Sequence, residues 1–377
     1  VVIDCRGSTI VAGRGNYATN DDSLPVQILF AAKFNSLGKL QWQFITPDVF
    51  RDESAHSIVE GLDSDPEGNV VLSARPSFGN TDPFSILKLS ANNGNEIWRR
   101  LETHPAAAME GKAISALKSD HKGNTFFMGW YAMPTSDGGY SFIRSVRKYD
   151  RIGTTLWTTV LPGEDYVMDE LGVERTLAVT RNGDLLVVGI RLGTGGFATK
   201  IDSKGKIQWF QARGTNTALP VFDSVHIGRF GTFCAASGYG YAVFTSSGHI
   251  IATTNNPAFS GQVFAVKRNG DFLLNSAQTV FDINLRGKLK WFSRQTSGDS
   301  ILGAIVTKND NVITAWHQNW DLDFARFDQT GSEVWRGQWP GQPYDHFTAF
   351  SKAPDGTVRI VLETPGGGFR VVALSLP

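Results

Sequence analysis

Ser36–Leu37–Gly38–Lys39–Leu40–Gln41–Trp42 is the stretch that decides the fold, because its pattern returns. A glycine followed four residues later by a tryptophan occurs at Gly38/Trp42, Gly94/Trp98, Gly153/Trp157, Gly205/Trp209, Gly287/Trp291 and Gly331/Trp335. A seventh copy, Gly248 with Ala252, keeps the turn and loses the ring. Each copy follows a short run that reads as a strand (Phe30 to Phe34, Ile86 to Leu89, Phe324 to Phe327) and opens another. A hairpin explains the spacing: the glycine supplies the φ > 0 residue of a tight turn, and the tryptophan anchors the next strand.

A second turn signal interleaves with the first. It reads as a polar residue, glycine, then Asn, Asp or Thr and an apolar strand, at Gly7, Gly68, Gly123, Gly183, Gly231, Gly270, Asp310 and Gly356. The two signals alternate strictly. One unit is therefore strand, tight turn, strand, longer loop, strand, tight turn, tryptophan strand. Four short strands in roughly 47 residues are the signature of a β-propeller blade. Helical periodicity is absent except for a short tolerant patch, Ala106 to Lys112. The count predicts an all-β propeller of eight blades, four antiparallel strands per blade, the eighth ending after its third strand, Phe369 to Leu374. Seven blades is the alternative, because the fifth unit (Val221 to Thr254) is weak. Residues 1–377 are expected to form one domain, since each blade buries its faces against its neighbours.

Composition bounds the function. Lys+Arg and Asp+Glu are both 36, so the net charge is zero and no basic face is expected for nucleic acid or an anionic membrane. No run approaches the 18 or so apolar residues of a transmembrane helix. The chain opens at Val1 without methionine or a signal-like segment, so any targeting sequence is expected to have been cut away or left off. The compartment stays open, with a secreted or secretory-lumen location slightly favoured. Cys5 and Cys234 give no zinc or redox spacing. They fall in the first and fifth units, roughly opposite in an eight-membered ring, so two free thiols are expected.

Ala198-Thr-Lys-Ile-Asp202-Ser-Lys-Gly205-Lys-Ile-Gln-Trp209 and Phe327-Asp328-Gln-Thr-Gly331-Ser-Glu-Val-Trp335 resemble the tryptophan-docking repeats of quinoprotein propellers. The resemblance covers nearly the whole chain and implies the fold. Quinoprotein alcohol dehydrogenases add a vicinal disulfide and a calcium cage around pyrroloquinoline quinone. This chain has no adjacent cysteines and no matching acidic motif, so that cofactor is not carried over and none is expected.

In a propeller both tight turns of a blade lie on one face, and the longer loops lie on the other. The tryptophans outside the repeat, Trp130, Trp316, Trp320 and Trp339, all map to the long-loop face, with Tyr131 among the rings joining them. Such a face suits a flat or apolar ligand, although the rings would equally pack long loops onto the blades. Seven residues after each second-type turn stand Arg14, Arg75, Trp130, Ile190, Gly238, Ala277, His317 and Glu363. Around the ring, His317, Glu363, Arg14 and Arg75 make a titratable arc opposite an apolar or small one. The same arc also reads as a rim salt-bridge network. Arg191 and His346 lie towards the same face. Eight residues before each turn, on the innermost strand, stand Glu60, Ser115, Arg175, Asp223, Gln262, Leu302 and Thr348, which suit a hydrogen-bonded plug.

No metalloprotease helix, nucleophile elbow, phosphate loop or EF-hand appears, so neither metal nor covalent catalysis is expected. Lectin and interaction-scaffold readings stay beside an enzyme reading. Rim residues that differ from blade to blade point to one site and a small-molecule substrate. This general character is similar to that of the propeller-like hetero-Diels–Alderases of fungal tropolone-sesquiterpenoid biosynthesis. The resemblance implies cofactor-independent cycloaddition of an o-quinone methide to a humulene-type alkene. Arg14 or Arg75 would then hold the tropolone oxygens, and His317 or Glu363 would assist loss of water. The apolar arc around Trp130 and Ile190 would receive the terpene, and Trp316, Trp320, Tyr131, Arg191 and His346 are expected to join them in binding the substrate.

Overall fold

The computed structural model describes residues 1–17, 26–46, 57–76, 84–102, 116–135, 140–162, 175–191, 195–212, 219–256, 261–276, 278–294, 301–318, 321–340, 346–353, 356–364 and 368–374. Among them there is no α-helix, and the patch 106–112 lies outside them. The strands form eight sheets, each an antiparallel meander in chain order, seven of four strands and one of three. The chain is a β-propeller of eight blades. The weak fifth unit is a full sheet (Ser224–Ile227, Phe233–Ser237, Gly240–Phe244, Ile250–Thr254), which removes the seven-bladed alternative. The eighth has three strands, His346–Lys352, Val358–Thr364 and Gly368–Leu374.

Two compact units emerge from the contacts. The first is Val1–Glu174 with the turn segments Arg181–Gly183 and Asp202–Lys206; the second is Arg175–Thr180, Asp184–Ile201 and Ile207–Pro377. Blades one to three build the first. The strands of blade four and blades five to eight build the second.

The turn chemistry explains why the meanders form. All 15 positions named from the two turn signals have φ between +58° and +95°, Asp310 being the one that is not glycine. In the first copy Asn35 N donates to Lys39 O (2.9 Å), while the Asn35 side chain accepts from the amides of Leu37 (3.0 Å) and Lys39 (2.9 Å). A register shift sits just before the turn in all seven third-to-fourth strand pairs, as at Lys33/Phe34. An αL glycine beside a one-residue bulge is a common way to close a hairpin with the right twist.

Five of the six repeat tryptophans dock on the turn glycine of the following blade. A Cβ on Gly94 would come 2.7 Å from the Trp42 ring, and one on Gly153, Gly205, Gly248 or Gly331 would strike Trp98, Trp157, Trp209 or Trp291 at 2.5–2.8 Å. Trp42 Nε1 donates to Ala91 O (3.0 Å), Trp98 Nε1 to Arg151 O (3.1 Å), Trp157 Nε1 to Ser203 O (3.0 Å) and Trp209 Nε1 to Ser246 O (3.2 Å). Only glycine lets the indole lie this close to the turn. Removing such a buried ring costs about 3–5 kcal/mol. The apolar clusters follow suit: one joins Ile10, Leu29 and Trp42 to Val70, Leu72 and Leu87, each drawn from two consecutive sheets.

A buried ion pair reinforces the same face in blades one to three. Lys33–Asp4 (2.8 Å), Lys88–Asp65 (2.8 Å) and Lys148–Asp120 (3.2 Å) join the third strand to the first turn. Lys33 also donates to Gly68 O and Lys88 to Gly123 O, each 2.9 Å away in the next blade. Blade six exchanges the signs, with Lys267 in the turn and Asp282 on the strand (2.6 Å). Both cysteines are free, Cys5 exposed and Cys234 buried.

Candidate functional site

The first unit carries Arg14, Arg75, Trp130 and Tyr131, each near the end of the second strand of its blade. Their backbones pair with Leu29, Ile58, Arg144 and Ile143 respectively. In the second unit Ile190 pairs with Gly196, Arg191 with Gly195, Trp316 with Asp323 and His317 with Leu322. Glu363 and His346 stand directly opposite each other on adjacent strands of blade eight. Trp320 and Ser115 lie outside the described residues. Trp316 is fully buried, in a cluster with Leu273, Trp291 and Phe327, and the Arg336 guanidinium lies 5.2 Å from its ring centre. This ring packs blades six and seven rather than facing a rim. Ile190 is buried as well.

The strongest polar constellation comes from the inner-strand set. First strands of successive blades run side by side in the second unit, which brings Arg175, Asp223 and Gln262 of blades four, five and six together. Arg175 Nη1 donates to Gln262 Oε1 at 2.8 Å, and its guanidinium lies 5.3 Å from the ring centre of Phe264. That bond fixes the amide so that its NH2 group is the donor left for Asp223, whose carboxylate is hydrogen-bonded by Gln262. Blade five holds Asp223 rigidly. Asp223 N donates to Ala236 O (3.0 Å), Ser224 Oγ donates to the same carbonyl (3.0 Å), and Val263 N of blade six donates to Ser224 Oγ (3.0 Å).

Asp223 is 4% exposed, and its Oδ1 has no hydrogen-bond partner among the described residues. Burial pushes its pKa up to about 6, against the opposing pull of the Gln262 hydrogen bond and the charge of Arg175. A carboxyl group tuned to this range can either give or take a proton near neutrality. Perturbed groups of this kind cluster at functional sites.

Sequence reasoning missed a second constellation, in the first unit. Glu102, at the end of the fourth strand of blade two, accepts hydrogen bonds from Tyr149 Oη and Arg147 Nη1 of blade three. Burial raises its pKa, and the charges of Arg147 and Arg100 oppose the rise. Trp98 lies beside Tyr149, with ring centres 5.9 Å apart, so this trio ties one tryptophan dock to the next blade. Among the described residues no group of three or more His, Cys, Asp or Glu side chains could hold a metal ion.

No family model matches the chain, and no curated protein matches it in sequence. Solved structures match it in fold. A eukaryotic initiation factor is 13% identical over 90% of this chain and 78% of its own, with a TM-score of 0.52. A streptogramin B lyase is 13% identical, over 84% of this chain and 93% of its own, with a TM-score of 0.50. The virginiamycin B lyase of Staphylococcus aureus is 12% identical, over 87% and 97%, with a TM-score of 0.50. Likeness at this identity establishes the β-propeller fold and nothing about activity.

Proposed function

We propose that this propeller is a cofactor-independent enzyme that binds a small organic substrate and exchanges a proton with it through Asp223. The observation that carries the reading is the buried carboxyl group of Asp223, with one oxygen unpartnered among the described residues and a pKa of about 6. Arg175 and Gln262 orient it. Burying a carboxylate without a full set of donors costs stability, and a bound substrate group that bonds to it offsets that cost.

The finer reading is a hetero-Diels–Alderase joining a tropolone o-quinone methide to a humulene-type alkene. Formation of the quinone methide by loss of water needs a proton delivered to the departing hydroxyl and another removed from the ring hydroxyl. One carboxyl group near pKa 6 suits either step. The cycloaddition itself then needs positioning alone, which is worth about 7–11 kcal/mol when reacting atoms are held in near-attack geometry. His317 and Glu363, in the same unit as Asp223, are the rim residues proposed to act with it, and Arg14, Arg75 and Trp130 are the proposed substrate contacts of the first unit.

The test has two arms. Native mass spectrometry of the chain against a small-molecule library, beside a glycan array, asks what binds. Rate and product ratio are then compared for the chain and for Asp223→Asn, Arg75→Ala, Glu363→Ala and Trp130→Ala. A single apolar ligand whose turnover falls with Asp223→Asn supports the reading. Sugar binding at several equivalent sites, or turnover indifferent to Asp223→Asn, refutes it.

A further inference from the structure

The turn between the first two strands carries a basic residue at the same position in three consecutive blades of the second unit. These are Arg229 in blade five, Arg268 in blade six and Lys308 in blade seven, and all three are exposed. The turns touch one another. A Cβ on Gly270 would lie 3.1 Å from Arg229 Cβ, so the turn of blade five abuts that of blade six. Arg268 N donates to Asp310 Oδ1 (2.9 Å), which joins blade six to blade seven. This face lies at the far end of the inner strands from Asp223, which precedes Ser224–Ile227 while Arg229 follows it.

Blade eight extends the arc by breaking the repeat. The residue before this turn is Val179, Ile227, Val266 and Val306 in blades four to seven, and Lys352 in blade eight. The half-buried Lys352 side chain crosses to blade seven, where its Nζ donates to Val306 O (2.7 Å). An ammonium group has three N–H donors, so two remain to be used. Burial lowers the Lys352 pKa, and the charges of Lys308 and Arg268 lower it further, so the three cations are near enough to repel one another. Blade six treats its lysines differently: Lys267 is paired with Asp282 and Lys290 with Asp271. Among the described residues no salt bridge joins Arg268, Lys308 or Lys352 to a carboxylate.

We infer that Arg268, Lys308 and Lys352 form a binding site for a phosphate monoester, borne by a small molecule or by a phosphorylated side chain. Three cations less the one carboxylate among them, Asp310, leave a net charge of +2. A phosphate monoester carries about −1.5 to −2 near neutrality and offers three acceptor oxygens, one for each cationic side chain. A carboxylate has half the charge and only two oxygens. The arginine fork suits two phosphate oxygens, and the lysines act as point charges beside it.

The full chain is titrated with inorganic phosphate at an ionic strength of about 50 mM, low enough to leave surface charges unscreened. Calorimetry and the 15N signals of the lysine side chains follow binding. The expected result is one phosphate per chain with a Kd of about 0.1–1 mM, a shift centred on Lys352 Nζ, and a raised Tm. Lys308→Ala, at an exposed turn, and Lys352→Met each weaken binding about tenfold or more. Lys204→Ala, in the other unit, changes nothing. Free phosphoserine and a phosphoserine peptide are then compared. Tighter binding of the peptide supports the site with a protein as its source of phosphate, and equal binding supports it with a small molecule. Absence of saturation at about 10 mM phosphate overturns the proposal. So does affinity unchanged in both Lys308→Ala and Lys352→Met, or acetate binding as tightly as phosphate.

Discussion

Gly38→Ala and Gly94→Ala isolate the docking contact. The two glycines occupy the same turn in consecutive blades of one unit, with φ of +76° and +71°. Alanine in this left-handed region costs about 1–2 kcal/mol at either site. The sites differ in what lies above them. A methyl on Gly38 meets nothing within 4 Å, whereas one on Gly94 falls 2.7 Å from Trp42 Cε3 and 2.8 Å from Cδ2. Carbon atoms prefer about 3.5–4.0 Å, so the indole must move. It is buried, and its Nε1 is committed to Ala91 O, so moving it disturbs both a core contact and a hydrogen bond. The added cost is about 1–3 kcal/mol, as for other overpacked sites. Urea unfolding followed by tryptophan emission and circular dichroism should therefore show a clearly lower midpoint for Gly94→Ala than for Gly38→Ala, at unchanged m. In a Trp42→Ala background the extra cost of Gly94→Ala should vanish, which is the double-mutant test of a direct contact. Equal costs for the two glycines, within about 0.5 kcal/mol, would refute the docking account.

Three more outcomes follow from named residues. Asp223 has a folded pKa of about 6 against an ordinary 3.8, so the native state holds its proton longer and stability falls as pH rises between those values. The penalty, about 3 kcal/mol above pH 6, is absent in Asp223→Asn, so the variant should gain on the wild type at pH 7.5 and not at pH 3.5; a pH-independent difference contradicts the assignment. Lys88→Met leaves Asp65 buried without its partner and should cost about 3–5 kcal/mol, most of it regained in Lys88→Met/Asp65→Leu; a double variant as unstable as the single would count against the ion pair. Finally, an aromatic disulfide reagent should titrate one thiol in the native chain, exposed Cys5, and a second only after unfolding, because Cys234 is buried and its pKa is raised by that burial.

The blades were legible because turn chemistry is local. A glycine with φ > 0 beside a short polar residue announces itself within five residues, and the spacing of such signals counts strands without any knowledge of what they pack against. Even Asp310 is legible in place of a glycine, since the short polar side chains of Asp and Asn tolerate the left-handed region better than most. Comparing equivalent positions across repeats also put Arg175, Asp223 and Gln262 in one register, and they do meet. What could not be read was which of them would be perturbed. That depends on burial and on donors from neighbouring blades, such as the Gln262 amide, which no single repeat contains. The Lys33–Asp4 pair escaped for another reason. Its partners are far apart in each repeat, and the pattern changes sign at Lys267 and Asp282, so a search for one conserved charge at one position does not see it. The trio around Glu102 leaves no periodic trace at all.

Blade five keeps the turn glycines but departs from the repeat at the ion pair and the docking tryptophan, and it is the blade that holds Asp223. Gly228 and Val243 replace the ion pair, and Ala252 replaces the docking tryptophan. Aromatic packing stands in for them: Phe233 and Phe244 stack at 4.6 Å, Trp209 of blade four lies 5.5 Å from Phe233, and Phe222 meets Phe244 edge-on at 6.2 Å. The exchange has an electrostatic consequence. A lysine in this blade would stabilise a nearby carboxylate and pull its pKa down, whereas rings and a dry wall raise it. Phe222 and Ser224, the neighbours of Asp223 in the chain, are both buried in this blade. Burial in this apolar blade is the largest cause of the raised Asp223 pKa, and the charge of Arg175 offsets it only in part. Blade five gives up the ion pair and the docking tryptophan together, and the start of its inner strand presents a buried carboxyl group tuned towards neutrality.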